Sequence, residues 1–277
     1  MKTKAIFYSI FIFVCCMCVI QTTARGKDPH SSAMKYGEKV TYDTYFKWGL
    51  IMPRAGDAVF SYDKDQSVNK VSSRYRMQFK TVKFFDSFFK MRDTLSTYYN
   101  DHNELVYSLK CTDEGGYYSV DKLTFTPGEE HTKIHSLRYT PSRIRIDTVL
   151  TVAGDVTDLL GAIYYLRGLD RMKLQRGNTY PLTVAIGRDL VKIQFTYQNQ
   201  SIVERGNAKY NTRHFVIDIY DEAFESTKTS AEVWMGDDDN FLPIKVRSKL
   251  KIGYAEVYYR ESSGLAHPLT CRIEVKH

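Results

Sequence analysis

The chain has 277 residues and a formal charge of +7, and its lysines and arginines are spread along the length rather than gathered into a run, which argues against a nucleic-acid-binding surface. A hydrophobic content of 43% is enough for one sizeable core, and 21 Tyr and 15 Phe suit strand surfaces and amphipathic sites. Past the N-terminal leader no apolar run is long enough to cross a bilayer as a helix, and no Gly-rich phosphate loop, Cys-x-x-Cys pair or Gly-x-Ser-x-Gly motif occurs, so no integral helical span and no cofactor is expected.

The first residues read as a leader. Lys2 and Lys4 precede an apolar run from Ala5 to Ile20, followed by the small residues Thr22, Thr23 and Ala24, the pattern of a signal peptide cleaved after residues 1–24. Its removal takes away two lysines and no acid, leaving +5. Cys15, Cys16 and Cys18 do not follow the Leu-small-small order of a lipidation site. Residues 25–35, with Gly26, Pro29, Ser31 and Ser32, read as a flexible tether, and residues 36–277 as a single β-barrel-like domain.

Residues 36–45 alternate and run into Phe46-Lys47-Trp48-Gly49, then a Pro53 break and a second strand over 55–62, an opening antiparallel pair. A third strand, 70–81, meets an aromatic stretch in which Val82, Phe85 and Phe89 are spaced for a short helical turn. That stretch reads as a plug closing one end of the sheet, or as a hydrophobic flap or membrane-touching tip. Strands then follow over 91–99, 104–112, 117–125, 132–139 and 143–152. Their separators, Asp101-His102-Asn103, Asp113-Glu114-Gly115-Gly116 and Pro127-Gly128, carry hairpin chemistry, so an antiparallel meander is expected.

Residues 155–169 form the one long segment with helical spacing. Val156, Leu159, Leu160 and Ile163 follow i, i+3, i+4, i+7, with Asp155 as N-cap, Asp158 in the first turn and Gly168 as the stop. After it come strands over 180–186, 190–197, 201–204, 213–220, 229–235, 244–252, 255–260 and 269–275. In the sixth of these Lys245, Arg247, Lys249 and Lys251 take the water side. With about fifteen strands an open sheet curls or closes, so the expected fold is all-β, a curled antiparallel β-barrel or β-roll wrapped around one central α-helix.

Candidate chemistry is sparse. Asp237-Asp238-Asp239 lacks EF-hand spacing and reads as a turn. His131 and His135 are four apart on strand text with no third ligand, so no metal site is expected, and no catalytic residue is assigned. Cys111 and Cys271 lie on the apolar side of alternating segments; both should point inward, as one disulfide or as two buried thiols. Arg167, ending the helix, calls for a strand carboxylate or a polar ligand. Trp48, Phe85, Phe89, Tyr165, Arg167 and Trp234 are the candidate ligand contacts.

Several strings together resemble the bacterial domain-of-unknown-function 3108 family: Gly37-Glu38-Lys39-Val40-Thr41-Tyr42-Asp43, Trp48-Gly49 with Ala55-Gly56, Asp158-Leu159-Leu160-Gly161-Ala162 with Tyr165-Leu166-Arg167, and Val233-Trp234-Met235-Gly236-Asp237-Asp238 with Leu242-Pro243. Their order and spacing cover most of the chain from Tyr36 onward and look like the forms found in Bacteroides-type bacteria. The resemblance implies an exported cell-envelope protein with a curled, spiral-like β-barrel, and it brings no catalytic residues. The expected role is therefore non-enzymatic binding of a lipid, another amphipathic ligand or an envelope protein in the periplasm, outer-membrane association included. The rivals are an envelope glycan or peptide hydrolase and an outer-membrane barrel.

Overall fold

The computed structural model describes residues 33–66, 71–220, 227–250 and 253–273; the leader, most of the tether, Lys251 and the last residues of the expected final strand lie outside them. The chain folds into one antiparallel sheet that curls into a nearly closed barrel. Eight successive strands make a continuous meander: β1 (Glu38–Lys47), β2 (Arg54–Lys64), β3 (Ser73–Thr81), β4 (Arg92–Tyr99), β5 (Leu105–Glu114), β6 (Tyr117–Thr126), β7 (His131–Thr140) and β8 (Arg143–Ala153). The remainder adds to the other side of β1. In sequence these strands are β9 (Val156–Thr157), β10 (Thr179–Ile186), β11 (Asp189–Arg205), β12 (Ala208–Tyr220), β13 (Thr227–Gly236), β14 (Pro243–Lys249) and β15 (Tyr254–Ser263). Sheet order runs from β8 back to β1, then β15 down to β9, and the two-residue β16 (Arg272–Ile273) pairs with β12 off this path.

The chain therefore passes directly from one free edge, β8, to the other, β9. Gly154 and Asp155 span the seam. Across it Ser136 Oγ of β7 donates to the Gly187 carbonyl of the β10–β11 turn at 2.6 Å, and Ala185 of β10 packs with Leu123, Phe125, Ile134 and Val152 of β6 to β8. Side-chain packing thus brings the edges together where no ladder joins them.

Three expectations change at this level. A central helix is not what the sheet is wound on: the described chain has only two short α-helices, α1 (Lys83–Asp86) and α2 (Leu159–Arg167), besides one 3-10 turn. The helix begins three residues later than expected because Val156 and Thr157 pair in parallel with Thr183 and Val184, and Asp158, not Asp155, is the cap. Residues 190–197 and 201–204 are one strand, β11, carried through a bulge between Tyr197 and Asn199.

Short as it is, α2 is buried on opposite sides. Leu160 and Tyr164 belong to the cluster with Tyr42, Tyr62, Tyr75 and Tyr99, while Ala162 and Leu166 belong to the one with Val184, Phe195, Phe215 and Met235. Tyr75 stacks on Tyr62 at 4.4 Å and meets Tyr164 at 3.8 Å. Strand residues cover these two faces, while Leu159, Ile163 and Tyr165 stay only partly buried.

Candidate functional site

Most of the interior is sealed by these clusters, but under β4 to β7, next to the seam, the sheet turns a polar set of residues inward. A bulge causes this. Tyr99 opposes Leu105, yet Tyr98 opposes Tyr107, so one residue of β5 goes unpaired and the alternation flips. Leu105 packs into the core, while Tyr107, Leu109 and Cys111 move to the opposite face from Ser108, Lys110, Thr112 and Glu114. The expectation that Cys111 points inward is corrected here. Cys111 and Cys271 are free thiols, Cys271 buried against Gly236.

Register then aligns charge across three strands, with Lys110 opposite Asp121 and Asp121 opposite Arg138, which donates to it through Nε. Thr112 and Ser119 face each other with their hydroxyls 2.8 Å apart. Between this wall, to which Leu95 and Leu123 add apolar surface, and the α2 end lies a cavity of about 140 Å³, lined also by Leu159, Ala185 and Ile186. Asp158 forms its floor: one oxygen caps Gly161 N at 2.8 Å, and the other accepts from Ser108 Oγ at 2.6 Å and from Thr97 Oγ1. Burial raises the Asp158 pKa, and these donors oppose the rise.

Asp93 continues the inward set of β4, two residues before Leu95. It is 1% exposed and neither oxygen has a hydrogen bond of ordinary geometry. Burial, reinforced by the Glu114 carboxyl, pushes its pKa up to about 7, and burial raises Glu114 as well. Two carboxyls in one partly dry place cannot both ionise cheaply.

The six residues expected to contact a ligand are not brought together. Trp48 stands 58% exposed at the β1–β2 hairpin tip, whereas Phe85 and Phe89 are half-buried at α1, with Phe89 against Gly115. Tyr165 stacks near Phe195 at 6.4 Å. Trp234 lies flat on His214 at 4.5 Å with Lys245 Nζ 4.8 Å above its ring. Arg167 takes the structural alternative: it is 3% exposed, clamps Glu38 at 2.5 and 2.9 Å, and donates to the carbonyls of Ala33 and Asn240. Lys245 and Arg247 lie on the face opposite Ile244 and Val246, as expected, but half-buried and paired with Glu256 and Glu232.

Sequence reading missed Lys110, Glu114, Asp121 and Arg138. A signal existed, because the Gly115-Gly116 turn fixes Glu114 opposite Tyr117 and hence Lys110 opposite Asp121. His131 and His135 stay apart from the cavity, on exposed positions of β7. Among the described residues no group of three His, Cys, Asp or Glu could hold a metal, and no helix is long and apolar enough to cross a membrane.

A search of curated proteins finds no match. Among solved structures, a β-barrel-like protein of the domain of unknown function DUF1849 from Brucella abortus superposes with a TM-score of 0.54 at 9% identity, over 82% of this chain and 96% of that one. A lipoprotein candidate from Parabacteroides distasonis reaches a TM-score of 0.31 at 7% identity, over 83% of this chain and 96% of that one. The first likeness is one of fold, a barrel-like all-β chain. At the level of sequence, the profile of the proteins of unknown function grouped as DUF3108 matches residues 41–259, and the chain belongs to that family.

Proposed function

We propose that this is an exported, periplasmic envelope protein that holds part of an amphipathic ligand in the seam cavity and performs no chemistry on it. The single observation that carries the reading is the inward wall of Lys110, Thr112, Ser119, Asp121 and Arg138, with Leu95 and Leu123 of the same sheet, lining about 140 Å³ of space together with Leu159, Ala185 and Ile186. A barrel that needed only to be stable would fill that volume as it fills the rest. Cavities near 150 Å³ accept a group about the size of benzene, so a ring or a short acyl end fits and the remainder of the ligand projects past Tyr117 and the Gly187 turn.

The hydrolase reading is weaker. It asks for two free, reachable carboxyls; of those lining the cavity Asp158 is committed to the α2 cap and to Ser108 and Thr97, and Asp121 to Arg138, while Asp93 is buried beneath the wall. An outer-membrane barrel needs a lipid-facing apolar band, whereas the outer face here carries Arg54 and Arg260 paired with Asp43 and Asp57, and Lys245 and Arg247 paired with Glu256.

The test is native mass spectrometry of the full chain purified from an exporting host, with octyl phosphate as added probe. A bound small molecule, or a probe that raises the melting temperature, is expected for the wild type and not for Thr112→Leu/Ser119→Leu, which fills the cavity and removes both partners of one hydrogen bond together. A wild type with neither a copurifying molecule nor a response to the probe overturns the reading.

A further inference from the structure

Alternate turns of an antiparallel meander emerge at the same end, and for β1 to β8 these are residues 48–53, 82–91, 115–116 and 141–142. They touch one another: Val82 N donates to Ala55 O at 3.0 Å and Gly115 N to Lys90 O at 2.8 Å. Of the fourteen large hydrophobic side chains exposed among the described residues, all but Tyr36, Val149, Met172 and Ile202 belong to these turns, to the strand ends beside them, or to Tyr254 at the neighbouring start of β15. The foremost are Trp48, Leu50, Ile51, Phe84 and Phe88, with Leu50 fully exposed at a tip that Gly49 turns with a φ of 58°.

Exposed charge at this end is mainly positive, the half-buried Asp113 and Glu114 beside the Gly115-Gly116 turn being the acids outside the pairs with Arg92, Arg54 and Arg260. Lys47, Lys83, Lys90, Arg143 and Arg145 are exposed, while Asp86 is held by Arg92, and Asp43 and Asp57 by Arg54 and Arg260. The apolar groups stand on adjoining turns that also carry the exposed Lys47, Lys83 and Lys90. Aromatic tips interleaved with Lys and Arg match a headgroup layer, where apolar groups enter and cations meet phosphate. We propose that this end of the barrel docks on an anionic bilayer, with Trp48, Leu50 and Phe88 entering the interface and Lys47, Lys83 and Lys90 meeting lipid phosphates.

The test uses the full chain, purified in the form its host's export leaves, co-sedimented with vesicles of phosphatidylcholine and phosphatidylglycerol at 3:1 and with phosphatidylcholine alone. Preferential binding to the anionic vesicles is expected, with a blue shift of Trp48 emission, since Trp234 is fixed on His214. Trp48→Ser/Leu50→Ser/Phe88→Ser changes exposed side chains only, so its melting curve should match wild type while its partition falls about tenfold or more. Lys83→Glu/Lys90→Glu should lose the anionic preference. A wild type that stays in the supernatant, a triple variant that binds as well as wild type, or a concentration-dependent dimer abolished by the triple variant without vesicle binding overturns the proposal. Thr112→Leu/Ser119→Leu should sediment like wild type, so failure of the cavity reading and failure of this one are separable.

Discussion

Asp93 is the residue whose surroundings ask the most of it. Its carboxyl is buried, lacks a well-formed hydrogen bond and faces Glu114, which together raise its pKa to about 7 from 3.8. Between those values the folded protein holds a proton that the unfolded chain has released, so stability falls as the pH rises from about 4 to about 7 and stays lower above it. Asp93→Asn keeps the shape and removes the charge. Thermal melts at pH 8 should show the variant more stable by on the order of 2 kcal/mol, about 4–8 °C, with little difference near pH 3. Equal offsets at the two pH values would mean that Asp93 does not titrate in this window. Nothing in the sequence around Asp93 singles it out, because its polarity suits either face of a strand and only the sheet decides which face is closed.

At the scale of elements, α2 shows how a propensity rule can be overruled. Gly161 sits in the first turn of a nine-residue helix, where Ala is intrinsically better by about 1 kcal/mol. A Cβ there would lie 2.1 Å from Thr157 Oγ1 and 2.9 Å from both Asp158 Oδ1 and Tyr99 OH. Gly161→Ala should therefore destabilise, by about 1–3 kcal/mol in urea unfolding, against the sign that propensity gives. A more stable variant would show that the cap region can relax. The helix itself was visible in the sequence from Leu159 onward. Its start was misplaced because Val156 has the right spacing for the helix and equally for the short parallel pairing with Thr183 that it makes.

The molecule as a whole is tied together by one buried ion pair. Arg167 at the end of α2 clamps Glu38 at the start of β1 and reaches the carbonyls of Ala33 and Asn240, so a single guanidinium joins the entry of the chain, the helix and the β13–β14 turn. Arg167→Met leaves Glu38 buried and unpaired and should cost about 3–5 kcal/mol, whereas Arg167→Met/Glu38→Leu should recover most of that loss. Chemical denaturation of the two variants checks this; a double variant no better than the single one would put the loss in packing rather than in the stranded charge.

Period-two alternation and Gly, Asn, Asp and Pro turns were enough to determine an all-β chain of many short antiparallel strands, because strand pairing between neighbours is local and each hairpin turn sets its own register. The sequence also marked Asp158, Gly168 and Arg167 as belonging to a helix end. Tertiary structure alone decided where the sheet closes, that the seam falls between β8 and β9, and that an unpaired residue in β5 turns Lys110, Thr112 and Glu114 inward and Cys111 outward. The physical reason is that alternation labels two faces without saying which is inside. That choice is made by curvature and by contacts such as Ala185 on Ile134, between residues about fifty positions apart in the chain.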